Sequence, residues 1–104
     1  MLYIIFSLDK PNAQPLRDAT RAAHIDYLNG FRDIIVLGGG MLSDEGVGHK
    51  GSTIIVNVKS RKQAEDFALN EPFKVAGLYA QQTILRMRKG YWNPAAAPLT
   101  AQDD

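Results

Sequence analysis

Short apolar runs alternate with stretches of helical spacing and predict six elements in the order βαββαβ. Four runs rich in β-branched and aromatic residues are typical of strands, and they cover residues 2–6, 33–37, 53–58 and 82–87. Two amphipathic stretches, residues 15–31 and 61–70, have the spacing of helices. Ser60 and Gln63 have the spacing of a capping box, which favours a helix that starts at Arg61. This order predicts a ferredoxin-like α+β fold, in which two helices cover one face of a four-stranded antiparallel sheet.

The first two predicted strands, residues 2–6 and 33–37, carry apolar side chains on both faces. Strands with this pattern are covered on two sides. The two helices of this fold cover only one face of the sheet, so the other face would expose a large apolar patch to water. We therefore expect a second copy of the chain to cover it, sheet against sheet, in a twofold homodimer.

The segment Gly38–Ser52 contains six glycines and predicts a loop of 15 residues. A loop of this length inside a small domain is often functional. It contains neither a GxGxxG nor a GxxxxGK[ST] motif, so nucleotide binding is not expected. Beyond Gly90 the composition changes to aromatic, alanine and proline residues. We predict one domain over residues 1–90 and a C-terminal tail over residues 91–104.

The overall composition excludes several classes of function. The 104 residues have a formal net charge of +1, and the basic residues are dispersed, which argues against a nucleic-acid surface. Because cysteine is absent, disulfides, thiolate catalysis and cysteine-based zinc sites are excluded. No apolar run reaches the length of a membrane span, and the first apolar run is too short for a signal peptide. We expect a cytoplasmic protein without membrane or nucleic-acid partners.

The first predicted helix has two neighbouring stripes of side chains. The stripe expected to face the core comprises Leu16, Thr20, Ala23, Tyr27 and Phe31. The stripe at the boundary with solvent comprises Arg17, Arg21, His24 and Leu28. Two nearby cations would disfavour the charged imidazolium and keep His24 neutral, as a general base requires. The arginines could also bind a carboxylate. The simpler alternative is a packed histidine beside arginines that pair with Asp18 or Asp26.

Two other positions, Glu71 and Ser52, are candidates for the same site. Glu71 precedes Pro72 at a helix start, where the helix dipole favours an acid; alternatively, its carboxylate orients a histidine, as in a catalytic triad. Ser52, at the opening of the third strand, either binds a ligand or caps the preceding loop. His49 lies in the glycine-rich segment without a metal-ligand partner at a telling spacing. We expect His49 to be exposed and predict no metal site.

In order and spacing, these features resemble the YCII-related family over roughly residues 2–88. The resemblance is carried by Leu2-Tyr3-Ile4-Ile5, Arg17, Arg21-x-x-His24-x-x-Tyr27-Leu28, Gly51-Ser52, Glu71-Pro72-Phe73 and Ala76-Gly77-Leu78-Tyr79. It implies a dimeric α+β barrel, related in fold to muconolactone isomerase and to small cofactor-free monooxygenases. It also implies a site formed by His24 and Glu71 and lined by the glycines and the serine. Glu71 stands where the family usually has aspartate.

Together, residues and resemblance suggest an enzyme of lyase or isomerase type that needs no cofactor and acts on a small anionic, cyclic or aromatic metabolite. His24 would move a proton and Glu71 would orient its ring, while backbone N–H groups and a hydroxyl would stabilise developing oxygen charge. The residues expected to bind the substrate are Arg17, Arg21, Gly39, Gly40 and Ser52. Two alternatives remain open: a non-catalytic ligand-binding or regulatory dimer, and a cofactor-independent monooxygenase.

Overall fold

The computed structural model describes residues 1–99, which form a four-stranded antiparallel sheet with helices on one face. The elements are β1 (Leu2–Asp9), α1 (Gln14–Asn29), β2 (Ile35–Leu42), β3 (His49–Asn57), α2 (Arg61–Leu69), α3 (Pro72–Val75) and β4 (Tyr79–Met87). The strand order across the sheet is β2-β3-β1-β4. This is the predicted ferredoxin-like α+β fold, with the short helix α3 between α2 and β4.

Strand β1 pairs with β3 on one side and with β4 on the other, which confirms its predicted central position. Its side chains alternate between the two faces of the sheet. Tyr3 and Ile5 point to the helices and are 5% and 3% exposed. They pack in one core cluster with Ile54, Val56 and Phe67. Burial of each large apolar side chain contributes roughly 1.5–3 kcal/mol to folding, so this cluster is the main support of the sheet.

The glycine-rich segment is not the long loop that its composition predicts. Strand β2 continues through Gly38–Gly40 to Leu42, and β3 already begins at His49, so that the connection covers only residues 43–48. Glycine is depleted in strands, and for this reason the sequence pattern was misleading. Gly51 shows what glycine permits here: a Cβ atom at this position would collide with the carbonyl oxygen of Ser7 in β1. The missing side chains allow backbones and neighbouring groups to approach closely.

Helix α1 is rotated relative to the predicted apolar stripe. Leu16 is 37% exposed and Ala23 is also exposed, whereas Arg17 is only 5% exposed. Tyr27 and Phe31 do pack against the core, as predicted. The rotation turns ionisable side chains of α1 inward, where buried carboxylates of other elements pair with them. Buried charges that are paired in this way can be accommodated in a fold.

Helix α2 begins at the predicted capping box. The backbone N–H of Gln63 donates to the Ser60 hydroxyl at 3.1 Å. The side-chain oxygen of Gln63 accepts a hydrogen bond from the backbone N–H of Lys59 at 2.9 Å. The Ser60 hydroxyl therefore satisfies a backbone donor that the first turn of a helix leaves unpaired, and the Gln63 side chain binds the residue that precedes the N-cap.

The face of the sheet opposite the helices is apolar, and we call it the open sheet face. A cross-strand row runs over it from Leu37 through Ile55 and Ile4 to Leu85, as the strand register shows. Leu37 is 62% exposed, Leu85 is 58% exposed, and Phe6 beside them is 38% exposed. Exposed apolar surfaces of this kind are typical of interaction sites.

After β4 the described chain leaves the sheet and forms one short 3-10 turn, Pro94–Ala96. Tyr91 is 99% exposed and Trp92 is 57% exposed. The predicted tail continues to residue 104, and its residues 100–104 lie outside the described residues. Within residues 1–99, every helix is too short or too polar to cross a membrane.

Candidate active site

His24 of α1 and Glu71 at the start of α3 are in direct contact, although 47 positions separate them in the sequence. The imidazole Nδ1 meets the Glu71 Oε1, and the two side chains are 12% and 4% exposed. Glu71 occupies the N-cap position of α3 but makes no side-chain capping bond. Its carboxylate is therefore available to hold the imidazole. With Nδ1 engaged, Nε2 is the ring nitrogen that remains for a ligand.

The buried Phe73 ring, 1% exposed, packs against this pair. The imidazole of His24 stacks on it, with 3.9 Å between the ring centroids and 16° between the planes. The Arg17 guanidinium carbon lies 4.7 Å from the centroid of the same ring. The orientation of His24 is thus fixed both by a hydrogen bond to Glu71 and by stacking on Phe73. A proton-transfer group needs such support to hold a productive geometry.

Arg17 is not a free cation on the boundary stripe. Its Nε and Nη2 atoms donate to the two carboxylate oxygens of Asp9 at 3.0 Å each, and Nη2 also donates to the Ser52 hydroxyl at 2.9 Å. The side chains of Arg17 and Asp9 are 6% and 5% exposed. Asp18 and Asp26, the carboxylates that the sequence offered as partners of the arginines, take no part in this pair. Arg21, in contrast, is exposed at the mouth of the site, where its charge can reach an anion.

Ser52 is 6% exposed and lies between charged and aromatic neighbours. It accepts the hydrogen bond from Arg17, and Tyr79 is a further neighbour. Burial raises the pKa of Tyr79 to about 12, against the opposing effect of a hydrogen bond with Ser52. The Tyr79 hydroxyl consequently keeps its proton at neutral pH.

Gly38, Gly39 and Gly40 all line the cleft. Gly38 and Gly40 form its floor, whereas a side chain at Gly39 would point to the opposite face of the sheet. The strand register pairs Gly38 with Ile54 and Gly40 with Ser52, both buried on the helix side, and pairs Gly39 with Thr53. Along an antiparallel strand, successive N–H groups point alternately toward and away from the partner strand. At most one of the N–H groups of Gly39 and Gly40 is therefore free for a ligand.

These groups border an open cleft of about 850 Å³ between α1 and the edge of the sheet formed by β2 and β3. The side chains and backbone that line it include Arg17, Asp18, Arg21, His24, Arg32, Gly40, His49, Ser52 and Phe73. Positive charge exceeds negative charge along this wall, which raises the local concentration of anions. Within residues 1–99, no three histidine, aspartate or glutamate side chains are grouped so as to hold a metal ion.

Comparison with known proteins assigns the chain to a family. The model of the YCII-related domain matches residues 1–88. The chain belongs to the YCII-related family. An uncharacterised protein of Haemophilus influenzae and the protein YciI of Escherichia coli are each 30% identical to it over 96 residues. Each of these alignments covers 86% of this chain and 98% of the relative.

A solved structure with a known activity is also similar to this YCII-related chain. It is the 5-chloro-2-hydroxyhydroquinone dehydrochlorinase of Burkholderia phenoliruptrix, in complex with 2,5-dihydroxybenzoquinone. The TM-score is 0.78 at 30% sequence identity, and the alignment covers 85% of this chain and 94% of the dehydrochlorinase. The similarity therefore extends over the whole domain that carries the cleft.

Sequence reasoning missed three residues of this YCII-related site. Asp9 lies beyond the predicted first strand, residues 2–6, but it ends β1 and pairs with Arg17. Phe73 carried no chemical signal of its own, although it directly follows the Glu71-Pro72 pair. His49 is exposed, as predicted, yet it opens β3 and lines the cleft. The strand register places His49 on the side of the sheet that the helices cover, and a single sequence does not show this register.

Proposed function

We propose that this YCII-related protein is an enzyme of lyase or isomerase type that acts on a small anionic ring compound, with His24 as the proton-transfer group. The contact between His24 and the buried carboxylate of Glu71, at the wall of a cleft, carries the proposal. A histidine whose Nδ1 is held by a carboxylate has a fixed tautomer and presents Nε2 to the substrate. The carboxylate also compensates the charge that the ring acquires when it accepts a proton.

The substrate class follows from the charge of the cleft and from the similar dehydrochlorinase. Arg21 is exposed at the cleft and suited to bind a substrate anion, whereas Arg17 is engaged by Asp9 and holds Ser52 in place. The dehydrochlorinase acts on a chlorinated hydroxyhydroquinone and binds a dihydroxybenzoquinone. A hydroxylated aromatic or quinoid anion is therefore the proposed substrate. Proton transfer and charge stabilisation by backbone and hydroxyl groups complete the scheme, which requires no cofactor.

Nuclear magnetic resonance of the two imidazole rings tests this proposal directly. Because the chain contains only two histidines, a His49→Phe variant assigns the remaining signals to His24. We expect the His24 signals to shift when small phenolates or aromatic carboxylates are added to the wild-type protein. Aliphatic carboxylates of similar charge are the matched controls and should cause smaller shifts. A His24 ring that responds to none of these ligands would contradict the proposal.

We also propose that the protein is a homodimer that pairs its two open sheet faces. The support is the exposed apolar row that includes Leu37 and Leu85. Leu37→Asp should convert the dimer to monomers in sedimentation experiments, because it places a charge in the interface. Leu69→Asp is the control, since Leu69 is equally exposed, at 62%, but lies on α2. A wild-type monomer, or dimers in both variants, would contradict this assembly.

A further inference from the structure

His49 has a defined hydrogen-bonding state in the cleft. The Gln14 Oε1 lies 3.3 Å from the backbone N of His49 and 3.1 Å from its Nδ1. The Gln14 Nε2 donates to Asp18 at 2.8 Å, which fixes the orientation of the amide. Since an amide oxygen only accepts hydrogen bonds, the proton of the neutral ring is on Nδ1. The Nε2 atom of His49 is then an unprotonated acceptor.

Gly40 provides the space that the His49 ring occupies. A Cβ atom at Gly40 would lie 2.7 Å from Cδ2 and 3.0 Å from Nε2 of His49, which is too close for an ordinary contact. At the neighbouring Gly39, a Cβ atom would have nothing within 4 Å. The imidazole is therefore packed against the backbone of β2, on the floor of the cleft that both residues line.

The charges around His49 favour its neutral form. Burial and the Arg17 guanidinium lower the pKa of His49 from its ordinary value of 6.5, and Arg21 acts in the same direction. Asp18 on α1 and Asp9 at the end of β1 oppose this effect and are outweighed. At neutral pH, the ring is consequently an acceptor rather than a cation.

We propose that His49 is a binding residue that accepts a hydrogen bond from a hydroxyl group of the ligand. The exposed arginines of the cleft, Arg21 and Arg32, only donate hydrogen bonds, so they bind the anionic end of a ligand. The Oδ1 atom of Asp18 accepts from Gln14. In addition to the Nε2 atom of His24, His49 provides a second uncharged acceptor, and the cleft thus selects rings that carry both an anionic group and a hydroxyl group. This inference rests on the proposed function and narrows its substrate class.

The test compares the binding of 2,5-dihydroxybenzoate and benzoate by calorimetry, because the two acids share the ring and the carboxylate but differ in hydroxyl groups. The preference is the ratio of the Kd of benzoate to the Kd of 2,5-dihydroxybenzoate. In His49→Phe this ratio should fall about tenfold, the effect of one lost hydrogen bond. His49→Gln, whose side-chain oxygen can accept, should restore part of the preference. Gly40→Ala, which displaces the ring, should also lower the preference.

The pH dependence provides a second readout. Protonation removes the acceptor, so the preference of the wild-type protein should decrease as the pH falls through the pKa of His49, below 6.5. In His49→Phe the preference should not change over this range. A preference that is the same in wild type and His49→Phe overturns the inference; if the His24 signals still shift, the proposed function stands. If neither acid binds and the His24 signals are unmoved, both are wrong.

Discussion

His24→Ala is expected to lower kcat by about 10²–10⁴-fold, the usual contribution of a positioned acid–base group. The reason is the arrangement of the imidazole, which Glu71 holds at Nδ1 and Phe73 supports by stacking, so that Nε2 faces the cleft. The rate would be measured with the aromatic acid or phenol that produces the largest shift of the His24 signals. Under the same conditions, Glu71→Gln should cause a smaller loss, since it keeps the shape of the carboxylate but not its charge.

A structural effect of His24→Ala must be separated from a catalytic one. The alanine leaves the Glu71 carboxylate buried without its partner, which destabilises the fold. His24→Gln is the matched control, because its amide can still donate to Glu71 but cannot act as a base. Both variants should keep the circular dichroism spectrum and the mass of the native assembly. If either folded variant turns over substrate at the wild-type rate, His24 is not the proton-transfer group.

Arg17→Met is expected to lower the free energy of unfolding by about 3–5 kcal/mol, because it leaves the Asp9 carboxylate buried and unpaired. Asp9→Leu should have an effect of similar size for the converse reason. The double variant should recover much of the loss, since removal of both charges also removes the cost of burying them. Urea denaturation of the two single variants and the double variant gives the coupling energy of the pair.

The exposed pair of Arg61 and Glu65 on α2 is the control for this measurement. Its atoms are 3.3 Å apart, but the side chains are 52% and 54% exposed. Arg61→Met should therefore cost only about 0.3–0.5 kcal/mol, as is usual for surface pairs on a helix. Losses of equal size in Arg17→Met and Arg61→Met would mean that burial of the Arg17 pair does not govern its contribution.

The fold could be predicted from the sequence to the extent that it depends on local patterns. The β-branched run that begins at Leu2 identified the central strand, and Ser60 with Gln63 identified the start of α2. The rotation of α1 could not be predicted, since Leu16 and Ala23 fit a core stripe better than Arg17 does. What decides the rotation is a set of long-range polar contacts, which a hydrophobic pattern does not record.

For the candidate site, the sequence suggested the members but not their contacts. His24 and Glu71 were placed together by resemblance, and the structure brings them into contact. The pairing of Arg17 could not be predicted, because its partner, Asp9, is on another element and at no characteristic spacing. The glycines of β2 were mistaken for a loop because strand pairing supplies the stability that their own propensity does not.

The glycines on the floor of the cleft also affect how the substrate range of this protein can change during evolution. A methyl group at Gly38 would meet Ile54 at 3.5 Å, an ordinary contact, so alanine fits there without disturbing the sheet. A methyl group at Gly40 would instead displace His49. Two positions on the same floor, separated by Gly39, therefore offer different evolutionary routes. A substitution at Gly38 changes the size of the accepted molecule, and one at Gly40 changes which functional groups it must carry. New substrate ranges can arise in this scaffold by single substitutions that leave His24 and Glu71 unaltered.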